Sequence, residues 1–188
     1  FHDTYTELPP HRGAKFDKAG KPLLSWRVYI LPFIEEQELF ERFHLDEPWD
    51  SEHNKPLAEL MPRVLRNSNV KLDSKAHTTY VLPINAKSMF DGKTGISFGD
   101  VTDGLSNTIM VLEVSPEKAV VWTKPDDWEV NTDKPLEGLG ALTDQGVWVL
   151  LGDGSVQQIL PQADPAEFLK MLLRNDRQPI AFDKLKRK

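Results

Sequence analysis

The stretch GVWVLLGDGSVQQIL, residues 146–160, constrains the fold more than any other part of the chain. Two apolar runs flank Gly152, Asp153 and Gly154, and an Asp-Gly pair favours the positive backbone dihedrals that tight hairpin turns need. The stretch therefore reads as a β-hairpin and commits the chain to an antiparallel sheet. Three further runs are rich in β-branched residues and bounded by turn residues: TTYVLPI (78–84), NTIMVLEV (107–114) and KAVVWTK (118–124). They read as strands of the same region. The polar stretch 125–145 reads as a long loop.

Helical signals lie outside this block. Residues 1–22 give a short helical end and a loop. LLSWRVYILPFIEEQELFERF (23–43) places Trp26, Ile30, Phe33, Ile34, Phe40 and Phe43 at spacings near three and four, with Ser25 as a cap. Pro32 removes a backbone donor inside this run, so two short helices in line are expected. SEHNKPLAELMPRVLRN (51–67) is a weaker helical region punctuated by Pro56 and Pro62. DPAEFLKMLL (164–173) carries three agreeing start signals: Asp164 as N-cap, Pro165 at the first helical position and Glu167 three residues after the cap. Helices come first, then strands, then a last helix. Without regular alternation, α+β with an antiparallel sheet is favoured over a doubly wound fold. The chain is expected to form one unit, 1–188: mainly helix and loop over 1–67, mainly β over 78–160, and a C-terminal helix over 164–174.

The formal net charge of −6 argues against a nucleic-acid partner, because phosphate binding needs a basic surface. The one basic cluster is the terminal DKLKRK, read as solvated. The absence of cysteine excludes disulfides, Cys-ligated zinc and thiol catalysis. No apolar run approaches the roughly 18 residues that span a bilayer, and the chain opens at Phe1 rather than Met.

Catalytic signatures fail on inspection. DGKTG (91–95) ends like a phosphate-binding loop, but Lys87 stands where that loop needs its first glycine. Asp103-Gly104 and Asp153-Gly154 resemble aspartic-protease loops without the hydroxyl residue that orients each acid. Glu35, Glu36, Glu38 and Glu41 read as the solvated face of a helix. His2, His11, His44, His53 and His77 are scattered without metal spacing. Ser25, Ser106 and Ser155 lack a nucleophile elbow or a nearby base. The chain is read as non-catalytic and free of cofactors. One hard-cation candidate remains, in which Asp100, Asp103, Ser106 and Asn107 offer oxygen ligands within GDVTDGLSN (99–107) for calcium. The competing reading is an Asx-turn capping the next strand. Trp49, Trp122, Trp128 and Trp148 could stack on sugar faces, although each is more often core or strand surface.

DEPWDSEHNKPL (46–57) reads as a clamp. Pro48 forces the residue before it into an extended or turn conformation. Trp49 supplies an apolar anchor, Asp50 or Ser51 can cap the following helix, and Asn54 can bond backbone before Pro56.

The same residues carry a resemblance. FHDTYTELPP, LLSWRVYILPFIEEQELFERFHLDEPWDSEHNKPL, TDGLSNTIMVLEV, VWTKPDD and GVWVLLGDGSVQQI occur here in the order they take in a large planctomycete family. It is known as the domain of unknown function 1559 family, with a prepilin-like N-terminus and an H-X9-DG motif near the C-terminus. The structural-motif residues in these blocks are Trp26, Pro48, Trp49, Asp50, Asn54, Asp103, Gly104, Ser106, Asn107, Asp153 and Gly154. The resemblance implies a pilin-like or pseudopilin-like fold, with N-terminal helices packed on an antiparallel sheet. It implies an ectodomain whose preceding apolar helix anchors it in the cell envelope, outside the cytoplasm. The implied partners are other pilin-like or envelope proteins, and the ectodomain is expected to be a monomer or weak oligomer. At the family's histidine position this chain has Thr143. The rival expectation is an extracytoplasmic module that binds a sugar or a divalent cation.

Overall fold

The computed structural model describes residues 1–9, 14–91, 95–139, 146–160 and 162–185. The DGKTG loop, Thr143, His11 and the last three basic residues of the terminal cluster thus fall wholly or partly outside the described residues. The fold is mixed α and β, with antiparallel sheets and few, short helices.

The main sheet has four antiparallel strands in the order β2-β4-β7-β8: β2 (Tyr80–Val81), β4 (Ile109–Glu113), β7 (Val147–Leu151) and β8 (Val156–Ile159). The hairpin β7–β8 turns as its sequence demands. Gly154 sits at φ +85, and Asp153 Oδ1 accepts from Ser155 N at 2.9 Å and Ser155 Oγ at 2.6 Å. Val147 faces Ile159 and Leu150 faces Val156, which fixes both faces of the sheet. A register shift between Ile109 and Val111 interrupts the β4–β7 ladder.

The run 77–84 is not one strand. It breaks into β1 (His77–Thr78), β2 and β3 (Pro83–Ile84), and each two-residue piece joins a different sheet. β1 pairs with β5 (Val120–Val121), whereas β3 pairs parallel with β6 (Trp128–Glu129). The stretch expected to be a loop over 125–145 therefore contributes β6, and among the described residues the strand pair β3–β6 is parallel.

One face of the main sheet is buried. Val81, Ile109, Leu112, Val147, Val149, Leu151 and Ile159 pack there against Phe168, Met171 and Leu172. These last three lie on α4 (Pro165–Leu172) and are fully enclosed. Each such burial stabilises by about 1.5–3 kcal/mol. Asp164 caps α4 by accepting from Ala166 N at 2.9 Å and Glu167 N at 3.4 Å. Glu167 does not reach back to the cap. It binds Lys170 Nζ at 3.0 Å and Ala181 N at 2.8 Å, and so ties α4 to the chain that follows.

The helix covering this face is thus the C-terminal one. The N-terminal third forms its own core of Leu24, Val28, Leu31, Leu39, Phe43, Leu57 and Met61 around Trp122. Its helices are shorter than the apolar periodicity suggests. α1 (His2–Tyr5), α2 (Trp26–Tyr29) and α3 (Gln37–Phe40) are one turn each. Between α2 and α3 lies the 3₁₀ turn Leu31–Phe33, followed by Glu35 at φ +64. The break near Pro32 thus extends over several residues instead of a single kink. The region 51–67 likewise folds as 3₁₀ turns, Lys55–Leu60 and Arg63–Leu65, because Pro56 and Pro62 interrupt the α-helical ladder.

Candidate docking groove

The opposite face of the main sheet stays largely open. The register places Tyr80, Val111, Glu113, Trp148, Leu150 and Val156 on it. These residues floor a groove of about 680 Å3. Its walls come from Phe1 and His2 on and before α1, Ile30 after α2, Val64 in the second 3₁₀ turn, and Phe98. The wall is held in place by local chemistry. His2 stacks on Phe98 at 3.8 Å between ring centroids and accepts from Phe98 N at 3.2 Å. Phe1 packs against Tyr5 at 4.7 Å and Phe33 at 5.3 Å.

Exposed apolar surface concentrates here. Trp148 is 45% exposed, Val156 60% and Val64 63%, and all three line the groove. Tyr5 and Phe33, also exposed, touch Phe1 at its edge. Single exposed apolar residues are ordinary, but a contiguous patch around a concave site marks an interaction surface. The volume falls within the roughly 300–1,000 Å3 range of ligand pockets.

Glu113 is the acid in this lining. Its Oε1 accepts from Asn67 Nδ2 at 2.9 Å, and its Oε2 accepts from Trp148 N at a long 3.4 Å. Burial pushes its carboxyl above the usual carboxylate range, with the Trp148 amide pulling weakly the other way. Proximity to Glu113 adds to burial in raising the Tyr80 phenol.

Beside the groove, Trp26 leads into a buried polar centre. Arg27 is fully enclosed, and its Nη2 meets Asp127 Oδ1 at 2.8 Å. It also donates to Tyr80 O at 2.7 Å and to Ser25 Oγ at 2.8 Å. Asp127 Oδ1 accepts in addition from Trp26 Nε1 at 3.1 Å and Leu82 N at 2.9 Å. Burial pushes the Asp127 carboxyl up and the guanidinium opposes it. Arginine stays charged in proteins, so the pair is a true ion pair. It joins α2, β2 and the loop before β6 at one point. Periodicity did not reveal this pair, since its partners lie 100 residues apart. The available signal was a charged residue inside the apolar run LLSWRVYIL.

The residues singled out by sequence are not gathered at the groove. Trp122 is 0% exposed, donates to Ala58 O at 2.8 Å and meets Phe43 edge-on. Trp128 is 8% exposed and donates to Glu137 O at 3.3 Å. Both are core residues without the open ring face that sugar stacking needs, which corrects the expectation placed on them. Trp49 is half-buried against the N-terminal core, with Lys124 Nζ 5.6 Å from its ring.

The expected cation ligands are turned toward backbone amides. Asp100 Oδ2 accepts from Ser97 N at 2.9 Å in a capping box. Asp103 accepts from Asp176 N at 2.7 Å and Arg177 N at 3.0 Å, pinning the turn after α4. Asn107 Nδ2 donates to Asp103 O at 2.8 Å, and Ser106 lies exposed beside it. Gly104 supplies the positive φ of +95 that this turn requires. The arrangement is turn chemistry, although neither carboxylate caps the following strand, as an Asx-turn there would. Among the described residues, no group of three or more His, Asp or Glu is placed to hold a metal ion. The two Asp-Gly turns do meet, Asp153 N donating to Leu105 O at 3.3 Å, but the Asp153 carboxylate serves its own turn and that of Asp103 the turn after α4.

In DEPWDSEHNKPL the clamp is Asn54. It is fully buried, accepts from His44 N at 3.0 Å, and donates to the carbonyls of His44, Glu47 and Pro48 at 2.9, 3.2 and 3.2 Å. Ser51 Oγ accepts from Asn54 N at 3.0 Å, while Asp50 and Pro48 are exposed. His44 and His53 are not scattered: their rings stack at 3.4 Å across this loop.

The family model described as "Protein of unknown function (DUF1559)" matches residues 1–64 and 63–131 of the chain, more than half its length. Neither the curated proteins nor the solved structures give a match.

Proposed function

The chain belongs to the DUF1559 family, and on that premise we propose a non-catalytic structural or interaction module of the cell envelope, pilin-like or pseudopilin-like in organisation. In this reading the open sheet face is a docking surface. Its occupant is the membrane-distal end of an apolar helix that precedes Phe1 in the longer polypeptide and whose other end anchors the module in the membrane. The carrying observation is the groove itself: a sheet face left apolar and uncovered, with Phe1 on its rim. A segment entering the chain at Phe1 emerges beside that face. An apolar helix laid there would cover Trp148, Val156 and Val64, and α4 on the other face would complete a three-layer packing. The module then assembles with other pilin-like or envelope proteins, and without its helix it is a monomer or a weak oligomer.

Sequencing the gene upstream of the Phe1 codon tests this. A leader followed by about 20 apolar residues is expected. A start codon close to Phe1 with no apolar segment would remove the anchored reading. The groove would then be studied as a site for a small ligand, the second reading, which its volume and apolar lining favour.

A further inference from the structure

We infer that Glu113 is a specificity determinant of the groove and that the occupant presents a cationic group to it. The inference rests on the docking reading above and deepens it. A carboxylate in an apolar groove loses hydration, and that loss is repaired by a partner charge or by several hydrogen bonds. Glu113 has Asn67 Nδ2 at 2.9 Å on one oxygen and a single long contact, Trp148 N at 3.4 Å, on the other. No lysine or arginine among the described residues forms an ion pair with it. The other titratable groups of the lining are the α-amino group of Phe1, which in a longer polypeptide would be a neutral amide, Tyr80, a neutral phenol, and His2, whose Nε2 is engaged by Phe98 N at 3.2 Å.

Both donors, Asn67 Nδ2 and the Trp148 amide, are neutral, so neither contact needs a full negative charge, and a glutamine, with one acceptor oxygen, would keep just one of them. What the negative charge adds is attraction for a positive one. The apolar floor of Val111, Trp148, Leu150 and Val156 would take the hydrocarbon of the occupant, and Glu113 would fix its register through one lysine, arginine or ammonium group. In the docked helix, this charge would be a single basic side chain on an otherwise apolar face.

The test uses the chain itself with three octyl amphiphiles below their micelle thresholds: octyltrimethylammonium, octyl glucoside and octyl sulfate. Binding is followed by NMR shifts of the Val156 and Val111 methyls and the Trp148 indole. We expect the cation to bind about two- to fivefold more tightly than the neutral amphiphile, the range for a partly exposed ion pair. In Glu113→Gln that preference collapses toward one. Equal binding of all three, or tightest binding of the anion, overturns the role of Glu113 and leaves the groove standing. No shift at the groove with any amphiphile overturns the docking reading and this inference with it. The comparison within the unmodified chain decides the matter even if the variant folds poorly.

Discussion

Removing Asp127 isolates one of the most consequential contacts in the fold. Asp127→Ala leaves the Arg27 guanidinium enclosed without a counter-charge. It also strips an acceptor from Trp26 Nε1, 3.1 Å away, and from Leu82 N, 2.9 Å away. Breaking a buried ion pair from one side costs about 3–5 kcal/mol. Total stabilities of single domains are about 5–15 kcal/mol, so a large share of the fold's margin is at stake. With a urea slope of about 2 kcal/mol/M, the unfolding midpoint should fall by about 1.5–2.5 M. Arg27→Met should cost a comparable amount, because it leaves a buried carboxylate. The double variant Arg27→Met/Asp127→Ala should be less destabilised than the two losses summed, by about 2–3 kcal/mol of coupling. Urea titrations of all four proteins, followed by tryptophan emission, measure these quantities. Single losses below about 1 kcal/mol that simply add would refute the reasoning, since the pair would then be solvated and energetically idle.

Three further outcomes follow from the geometry. Asn54→Ala removes four hydrogen bonds from a fully buried side chain and should destabilise by about 2–4 kcal/mol in the same titration; an unchanged midpoint would mean the 44–54 loop holds without its clamp. Gly146→Ala places a Cβ 2.0 Å from Ile159 O at φ +86, so a loss of at least about 2 kcal/mol is expected by calorimetry, with β7–β8 hydrogen exchange accelerated. Glu113 has a carboxyl raised by burial, so its contribution to stability is present below its ordinary value of 4.5 and is lost as pH rises through the higher folded value. Glu113→Gln should therefore unfold at higher urea than the parent at neutral pH, and the advantage should vanish in acid; a constant difference across pH would contradict the assignment.

Local rules carried the parts of this fold whose determinants are local. The β7–β8 hairpin followed from Asp153-Gly154, and α4 from Asp164, Pro165 and the apolar residues after them. Ser25 caps α2 as its position suggested, its side chain accepting from Arg27 N. What failed was decided across the chain. The run 77–84 has uniform strand composition, yet its pairs of residues answer to partners near 120, 112 and 128 in turn. β6 exists in a polar stretch because Trp128 and Val130 amides bond Leu82 and Ile84 carbonyls. Trp122 and Trp128 look alike to composition whether they face a ligand or a core. The groove was illegible for the same reason: Trp148 and Val156 read simply as hairpin residues, and which face of a hairpin is covered depends on α4, arriving later, and on a wall built from the first two residues. Glu113 ends an apolar run and signals nothing until Asn67 and the sheet register place it in that groove.

The docking claim is met most directly at Trp148. Acrylamide quenching of its emission should be measured in this chain and in the proposed polypeptide that carries an apolar helix before Phe1, with Trp148→Phe versions of both to isolate the signal. In the short chain Trp148, 45% exposed, should quench readily. In that longer polypeptide, held in lipid nanodiscs so that no free detergent enters the groove of either sample, the account predicts that Trp148 becomes shielded. Equal quenching in the two would show the sheet face uncovered in the longer polypeptide, and the groove would not be the seat of its N-terminal segment.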